Sequence, residues 1–428
     1  MEKLIIEGGR PLQGVVRIEG AKNAALPILA ASMLAEGPVT IDNVPDLLDI
    51  HVMLDILRSL GADASLKGRV AYVDATNVRT SEIPETLMSK MRSSIFLMGP
   101  LLSRFGEVTV YQPGGCAIGE RKIDLHLNGL KTLGAVVTEY DNRIVCQAKR
   151  LKGADIVLDY PSVGATENLM MAAATAEGIT TISNAAREPE IADLQLFLNR
   201  MGAKIIGAGT DTITIEGVEK LSPCEHRVIP DRIVTGTLMV AAAATRGNVT
   251  LENVVPGHLT SVIHALRRAG VQIAIDGDIM NVIGVSRPRA VERIVTSPYP
   301  SFPTDLQAQM MVLLSLADGL SVVKETVFEG RFKHVNELSV MGADIRVDFN
   351  SAFIRGVPRL YGATVEATDL RAGAALVIAG LAATGRTVVE QIHHIDRGYE
   401  AIEATFRRLG GRIERTVTVA PDRLASSM

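Results

Sequence analysis

The sequence predicts an α/β protein of two domains, each built from three copies of one repeated unit whose helices lie buried at the centre. Three observations lead there. A tripeptide recurs six times: Leu60-Gly61-Ala62, Leu133-Gly134-Ala135, Met201-Gly202-Ala203, Ala269-Gly270-Val271, Met341-Gly342-Ala343 and Leu409-Gly410-Gly411, with glycine spacings of 73, 68, 68, 72 and 68. A second mark, a glycine leading into a β-branched run, stands 23 to 28 residues before each: Gly37, Gly106, Gly178, Gly247, Gly319 and Gly385. Two linked marks repeated six times are the signature of an internal repeat. Finally, the Ala-rich segments Asn23–Leu34, Glu167–Ala176, Arg232–Thr245 and Arg371–Thr384 are apolar nearly all round, as a helix buried on every side must be.

Each unit then reads in one order. The Ala-rich helix ends at the first glycine, and a strand of period two follows. A polar loop leads to an amphipathic helix such as Leu47–Leu60, closed by a glycine suited to the left-handed position after a helix end. Short alternating strands such as Ala71-Tyr-Val-Asp, Arg143–Gln147 and Thr212-Ile-Thr-Ile complete the unit. The first helices should pack together, three to a domain, with sheets and second helices around them.

Composition narrows the class. The 428 residues are 47% hydrophobic and 21% charged, which suits a globular chain and excludes disorder as the main state. A net charge of −4 and the absence of Trp argue against a basic nucleic-acid face or a base-stacking platform. Mean hydropathy is +0.22, yet the longest uncharged apolar stretch, Ala372–Gly385, has fourteen residues, short of the roughly 18–20 a membrane span needs. Met1–Arg10 has no signal-peptide character. Cys116, Cys146 and Cys224 have no metal or disulfide spacing, and no Walker or dinucleotide loop is present. The expectation is a cytoplasmic protein without metal or organic cofactor.

Charge gathers at equivalent places in the repeats. The buried helices begin at Lys22-Asn23, Arg92, Gly164-Ala-Thr166, Asp231-Arg232, Asp305 and Asp369 with Arg371; the loops after the strands carry Asp49, Cys116 to Arg121, Arg187-Glu188, His258, Arg331 and Arg397. Equivalent positions share one rim. A cation at a helix N-terminus opposes the macrodipole, so these residues make sense if the rim takes anions; the plainer reading is a set of solvated caps. Cys116 sits in the Gly-rich segment Tyr111–Arg121 with Arg121 and Lys122 nearby. The segment suits a lid, and the cations favour the thiolate. Cys146 and Cys224 read as small core hydrophobes. Asp305 reads most simply as an N-cap.

Motifs along the chain carry a resemblance: Gly20-Ala-Lys-Asn-Ala24, Lys90-Met-Arg-Ser-Ser94, Pro113-Gly-Gly-Cys-Ala-Ile-Gly119, Ser162-Val-Gly-Ala-Thr166, Phe302-Pro-Thr-Asp-Leu-Gln-Ala-Gln309, Phe328-Glu-Gly-Arg-Phe-Lys-His334, Asp369-Leu-Arg371 and Asp396-Arg397-Gly398. The chain resembles the UDP-N-acetylglucosamine 1-carboxyvinyltransferases, or UDP-N-acetylglucosamine enolpyruvyl transferases (the MurA family), of peptidoglycan synthesis. The resemblance implies the enolpyruvyl transferase fold, an inside-out α/β barrel of two domains. One domain is expected over 22–229 and the other over 1–21 with 230–419, with a disordered tail over 420–428. It implies transfer of the enolpyruvyl group of phosphoenolpyruvate to the 3′-hydroxyl of UDP-N-acetylglucosamine, through a tetrahedral intermediate. Cys116 would be the general acid, and its thiol implies sensitivity to the epoxide fosfomycin. Asp305 would accept the hydroxyl proton, and Lys22, Arg121 and Arg397 would hold phosphoenolpyruvate. Asn23, Arg92, Arg121, Lys122, Ile123, Asp124, Leu125, His126, Ser162, Val163, Gly164, Asp305 and Val327 would line the sugar-nucleotide site. Arg331, Asp369 and Arg371 would complete the substrate-binding rim.

The pattern departs from the family at Lys122, where Pro is frequent, and at Tyr160-Pro161, where Lys-Val is common in some members. Three other readings stay open: a shikimate-pathway enolpyruvyl transferase, a catalytically silent sugar-nucleotide binder, and an RNA-end enzyme on a related repeat fold. The Pro-Gly-Gly-Cys loop weighs against the first, the intact Cys116, Asp305 and Arg397 against the second, and the low pI and few aromatics against the third.

Overall fold

The first five glycine-marked repeats fold into a helix, a strand, a second helix and a strand hairpin in the computed structural model, which describes residues 2–114 and 123–417, and the sixth follows the same order up to the first hairpin strand. Cys116, Arg121 and Lys122, and the tail over 420–428, lie outside the described residues. All six glycines of the tripeptide mark, from Gly61 to Gly410, have positive φ, as a residue that turns the chain out of a helix into a strand requires.

Two units form. One comprises Ile18–Arg232 with Ser297–Ser301; the other is made by the described residues of Met1–Arg17, Ile233–Thr296 and Phe302–Met428. In the first unit the central helices are Lys22–Ala31, Met98–Phe105 and Val163–Ala173. Their small residues permit close approach: a Cβ on Gly99 would lie 2.3 Å from the Asn168 carbonyl oxygen of the neighbouring helix. In the second unit they are Arg232–Ala244, Gln307–Ser315 and Leu370–Ala382. Every residue of Gln307–Ser315 is buried, and each fully buried Leu or Met side chain contributes roughly 1.5–3 kcal/mol.

The sheets show how the repeats interlock. In the third repeat Ile179–Ser183 pairs antiparallel with Thr212–Glu216 and parallel with Asp155–Val157, the strand before its own central helix. In the first repeat the parallel partner of Pro38–Asp42 is Glu225–Arg227, from the far end of the same unit. In the sixth repeat the place of the hairpin's return strand is taken by Glu2–Glu7, which lies between Arg386–Glu390 and Arg412–Val417.

The second repeat departs from the pattern. Its sheet has three strands, and an isolated parallel bridge, Glu82 with Thr109, replaces the fourth. Thr109 N–H donates to the Ser81 carbonyl and Ile83 N–H to the Thr109 carbonyl, and the chain then turns at Pro84 into the short helix Glu85–Met88, which ends the ladder. Its central helix, expected to begin at Arg92, is split into a 3₁₀ stretch Arg92–Leu97 and the helix Met98–Phe105. Pro100 lies in the first turn of that helix, where a missing N–H costs nothing.

Candidate active site

Within single repeats the start of the central helix meets the loop that follows the strand. In the first repeat the Lys22 ammonium lies 3.0 Å from Asp49 Oδ2, and the Lys22 backbone N–H donates to Asp231 Oδ2 at 3.2 Å. Lys22, Asp49 and Asp231 are all buried, so Lys22 is not a solvated cap. Asn23, beside it, is half-buried. In the third repeat Thr166 Oγ1 accepts from the Ala186 N–H at 3.0 Å. In the fifth, Asp305 meets Arg331, and in the sixth the Arg371 guanidinium stands 5.5 Å over the Tyr399 ring.

A second group in the first unit centres on His126. Asp124 opens the helix Asp124–Thr132, with Ile123 at its cap; Ile123 and Leu125 are half-buried, Asp124 is exposed and His126 is buried. Asn168 Nδ2 is 2.9 Å from His126 Nδ1, while Asn168 Oδ1 accepts from the Gly99 N–H at 2.6 Å. The amide orientation makes Nδ1 the acceptor and leaves the ring proton on Nε2, on the side where a Cβ at Gly164 would touch the ring at 3.4 Å. Burial, helped by the Arg92 charge, pushes His126 down to about 3, so the ring is neutral. Burial also lowers Arg92. Ser162 caps the helix Val163–Ala173, its hydroxyl accepting from Ala165 N–H at 3.3 Å, and Ser162, Val163 and Gly164 are half-buried.

Glu167, next to Asn168 on the same helix, is close enough to Glu188 and Glu190 to feel their charge. Arg232 Nε donates to both Glu190 oxygens at 2.9 and 3.3 Å, and Glu188 Oε1 accepts from the Tyr299 N–H at 3.3 Å. Glu167, fully buried, has no hydrogen-bond partner on either oxygen. Burial, then Glu190 and Glu188, hold its carboxyl well above the usual carboxylate range. A carboxyl raised in the fold stabilises most below its unfolded pKa of about 4.3, and that contribution is lost as pH rises through the folded value. Glu167→Gln is therefore expected to melt above wild type at alkaline pH and to match it in acid. Thermal melts across the range check this; a difference that does not vary with pH would overturn it.

The second unit brings one carboxylate between two guanidiniums. Asp305 Oδ2 accepts from Arg371 Nε at 3.1 Å and Nη2 at 2.8 Å, and Asp305 Oδ1 lies 2.7 Å from Arg331 Nη2. The Asp305 side chain keeps 23% of its surface exposed against 7% and 4% for the two arginines, so the carboxylate is the member a ligand can reach. Burial opposes its ionisation, but Arg371 and then Arg331 outweigh that and hold the carboxyl far below the usual range. The simple cap reading of Asp305 is thus corrected: it sits inside the 3₁₀ turn Thr304–Leu306 and its side chain makes no cap. Two guanidiniums offer a carboxylate more than a single backbone N–H does. Asp369 is the cap of the helix Leu370–Ala382 and accepts from the N–H groups of Arg371 and Ala372 at 2.8 and 3.0 Å.

A supporting network fixes these groups. Arg331 Nη1 donates to Thr304 Oγ1 at 2.7 Å, and Thr304 donates to Glu325 Oε2 at 2.9 Å. The other Glu325 oxygen accepts from Val327 N–H at 2.8 Å and Phe328 N–H at 3.1 Å, which sets the half-buried Val327. Gln309 Nε2 donates to the Asp305 carbonyl at 2.9 Å and to Tyr399 Oη at 3.2 Å. His334 is buried, pushed down to about 4 by burial and by Arg331 against the pull of Asp369. Arg397 ends the 3₁₀ stretch Ile392–Arg397, half-buried.

Several of these residues escaped the sequence reading. Asn168, Glu325 and Gln309 were not singled out, although Glu167-Asn168 and Gln307 with Gln309 are polar residues inside otherwise apolar helices, and that was the available signal. Cys146 is buried as expected and Cys224 is partly so; burial pushes both thiols up to about 11. Among the described residues no group of three or more His, Cys, Asp or Glu could hold a metal ion, and no helix is long and apolar enough to cross a membrane.

Comparison with known proteins places the chain in a family. Residues 6–406 match the family described as EPSP synthase (3-phosphoshikimate 1-carboxyvinyltransferase). The chain is 53% identical to UDP-N-acetylglucosamine 1-carboxyvinyltransferase 2 of Caldanaerobacter subterraneus, over 97% of this chain and 100% of that protein. It is 51% identical to UDP-N-acetylglucosamine 1-carboxyvinyltransferase of Desulfosudis oleivorans, over 97% and 99%. Among solved structures it resembles the enolpyruvyl transferase NikO from Streptomyces tendae, with TM-score 0.88, 28% identity and coverage of 98% and 99%. EPSP synthase from Acinetobacter baumannii shares the fold at TM-score 0.75 and 19% identity, over 97% and 100% of the two chains. The six-repeat architecture, the family match over most of the chain and relatives half identical from end to end establish that the chain belongs to the enolpyruvyl transferases, and among them to the UDP-N-acetylglucosamine 1-carboxyvinyltransferase family.

Proposed function

We propose that the chain transfers the enolpyruvyl group of phosphoenolpyruvate to the 3′-hydroxyl of UDP-N-acetylglucosamine with release of phosphate, in the cytoplasm, as the first committed step of peptidoglycan synthesis. The reading is carried by 50–54% identity over nearly the whole chain to proteins named for this activity. The charge geometry supports it. Both substrates are anions, and Lys22, Arg92, Arg331, Arg371 and Arg397 stand at helix starts and loops where oriented donors can take them.

In the addition step the hydroxyl oxygen bonds to C2 of phosphoenolpyruvate while C3 takes a proton and becomes a methyl group. In the elimination step the C2–phosphate bond breaks and C3 returns a proton, leaving the enol ether and inorganic phosphate. Cys116 supplies the proton to C3, and Asp305 accepts the proton of the hydroxyl. Held by two guanidiniums, Asp305 is ionised but weakly basic; a substrate anion that takes up Arg331 or Arg371 raises its basicity. Lys22, Arg121 and Arg397 hold phosphoenolpyruvate. Neutral His126, Asn23, Arg92, Ser162 to Gly164 and Val327 line the sugar-nucleotide site with Arg121 to Leu125. Arg331, Asp369 and Arg371 complete it.

The test is phosphate release from phosphoenolpyruvate with UDP-N-acetylglucosamine, with shikimate 3-phosphate, and with neither. Release that requires the sugar nucleotide is expected. Release with shikimate 3-phosphate instead, or a thermal shift with the sugar nucleotide and no release, would overturn the reading. Cys116→Ala is expected to lower the rate by about 10²–10⁴-fold; activity retained in that variant would move the acid role to another group.

A further inference from the structure

The segment that carries Arg397 is bounded by two non-glycine residues in the left-handed region, Gln391 at φ 56° and Ala401 at φ 38°. Such residues cost about 1–3 kcal/mol each and persist where the surroundings over-determine them. Here the surroundings converge on one guanidinium. Arg415, on the strand Arg412–Val417, donates from Nη2 to Asp396 Oδ1 at 2.6 Å and from Nη1 to Asp396 Oδ2 at 3.0 Å. The same side chain donates from Nε and Nη2 to the two Glu403 oxygens at 3.1 and 3.3 Å, and from Nη1 to Glu2 Oε2 at 2.9 Å. Asp396 immediately precedes Arg397, and Glu403 lies in the first turn of the helix that follows. The clamp therefore grips the chain on both sides of Arg397. Arg415 is 23% exposed and Glu403 10%, so the network is less screened than a surface pair, and its two-pronged geometry fixes direction as well as distance.

We propose that Arg415 is a positioning residue for Arg397: it sets the backbone on both sides through Asp396 and Glu403 and so aims the Arg397 guanidinium without touching substrate. The inference rests on the reading that Arg397 holds phosphoenolpyruvate.

The experiment compares wild type, Arg415→Ala, Arg415→Lys and Arg412→Ala, the last an exposed arginine of the same strand. In Arg415→Ala the KM for phosphoenolpyruvate is expected to rise about tenfold, in keeping with the loss of a charge-assisted pair, while the KM for UDP-N-acetylglucosamine and the rate at saturation change little. Arg415→Lys should recover part of the loss, and Arg412→Ala should match wild type. Combining Arg415→Ala with Asp396→Asn should cost no more than the worse single change. Amide hydrogen exchange over 392–401 should quicken in Arg415→Ala. An unchanged phosphoenolpyruvate KM, an equal rise for both substrates, or unchanged exchange over that segment would overturn the proposal. Should Arg415→Ala fail to fold, Arg415→Lys and Asp396→Asn carry the same comparisons. If wild type itself releases no phosphate, the reading of Arg397 fails, and exchange over 392–401 still decides the anchor.

Discussion

Asp305→Asn is expected to lower phosphate release by about 10²–10⁴-fold, the usual span for a lost proton acceptor, and to weaken the fold at the same time. The side chain lies between two buried guanidiniums at 2.7 and 2.8 Å. Removing its charge leaves two cations close together, and breaking a buried pair in this way costs about 3–5 kcal/mol. The pH dependence separates the effects. A carboxyl depressed in the fold contributes stability that is present above its unfolded pKa of about 3.9 and lost as pH falls through the folded value. The wild-type advantage over Asp305→Asn should thus be constant above about pH 4 and shrink in stronger acid. Denaturant melts over a pH series measure this, and activity is compared where both proteins are folded. Wild-type turnover in the folded variant would remove Asp305 from the chemistry. Because Asp305 is held ionised by both arginines in the free protein, an acidic limb in kcat/KM must belong to another group, whereas one in kcat alone fits an Asp305 whose arginines are taken up by substrate.

Lys22→Ala should raise the KM for phosphoenolpyruvate by more than about tenfold, the equivalent of one lost charge-assisted contact, and should lower stability as well. Its ammonium sits 3.0 Å from buried Asp49 at the start of a buried helix. Lys22→Arg is expected to rescue poorly, since a planar fork does not fit a site built round a compact point charge. The double variant Lys22→Met with Asp49→Leu separates structure from function. Replacing both members of a buried pair by apolar residues is often neutral for stability, so melting should recover toward wild type while the phosphoenolpyruvate KM stays high. Recovery of KM along with stability would show that Lys22 serves packing alone.

The parts of this protein that follow from local chemistry were open to reading in the chain. The six glycines that leave their helices with positive φ, the Ala-rich helices with no polar face, and the alternating strands each depend on residues a few positions apart. The rim of helix starts and loops followed from the repeat register, because equivalent positions in equivalent units occupy equivalent places. Lys22, Arg331 and Arg371 stand out in the sequence as charged residues at helix starts and loops, but their partners do not.

Partners were settled by packing. Asp305 reads locally as a cap, yet it pairs with Arg371, 66 residues away, because its own repeat and the next each bring a guanidinium to it and their combined attraction exceeds that of one N–H. His126 takes its tautomer from Asn168, 42 residues away, on a helix whose apolar run gave little hint that it carried an orienting amide. The sixth sheet draws a strand from the N-terminus, and the Arg397 segment is held from the last strand by Arg415. A repeat pattern specifies which elements form and which ends share a rim. Which charge meets which depends on side-chain reach, burial and competition among several partners, and those exist only once the repeats have packed.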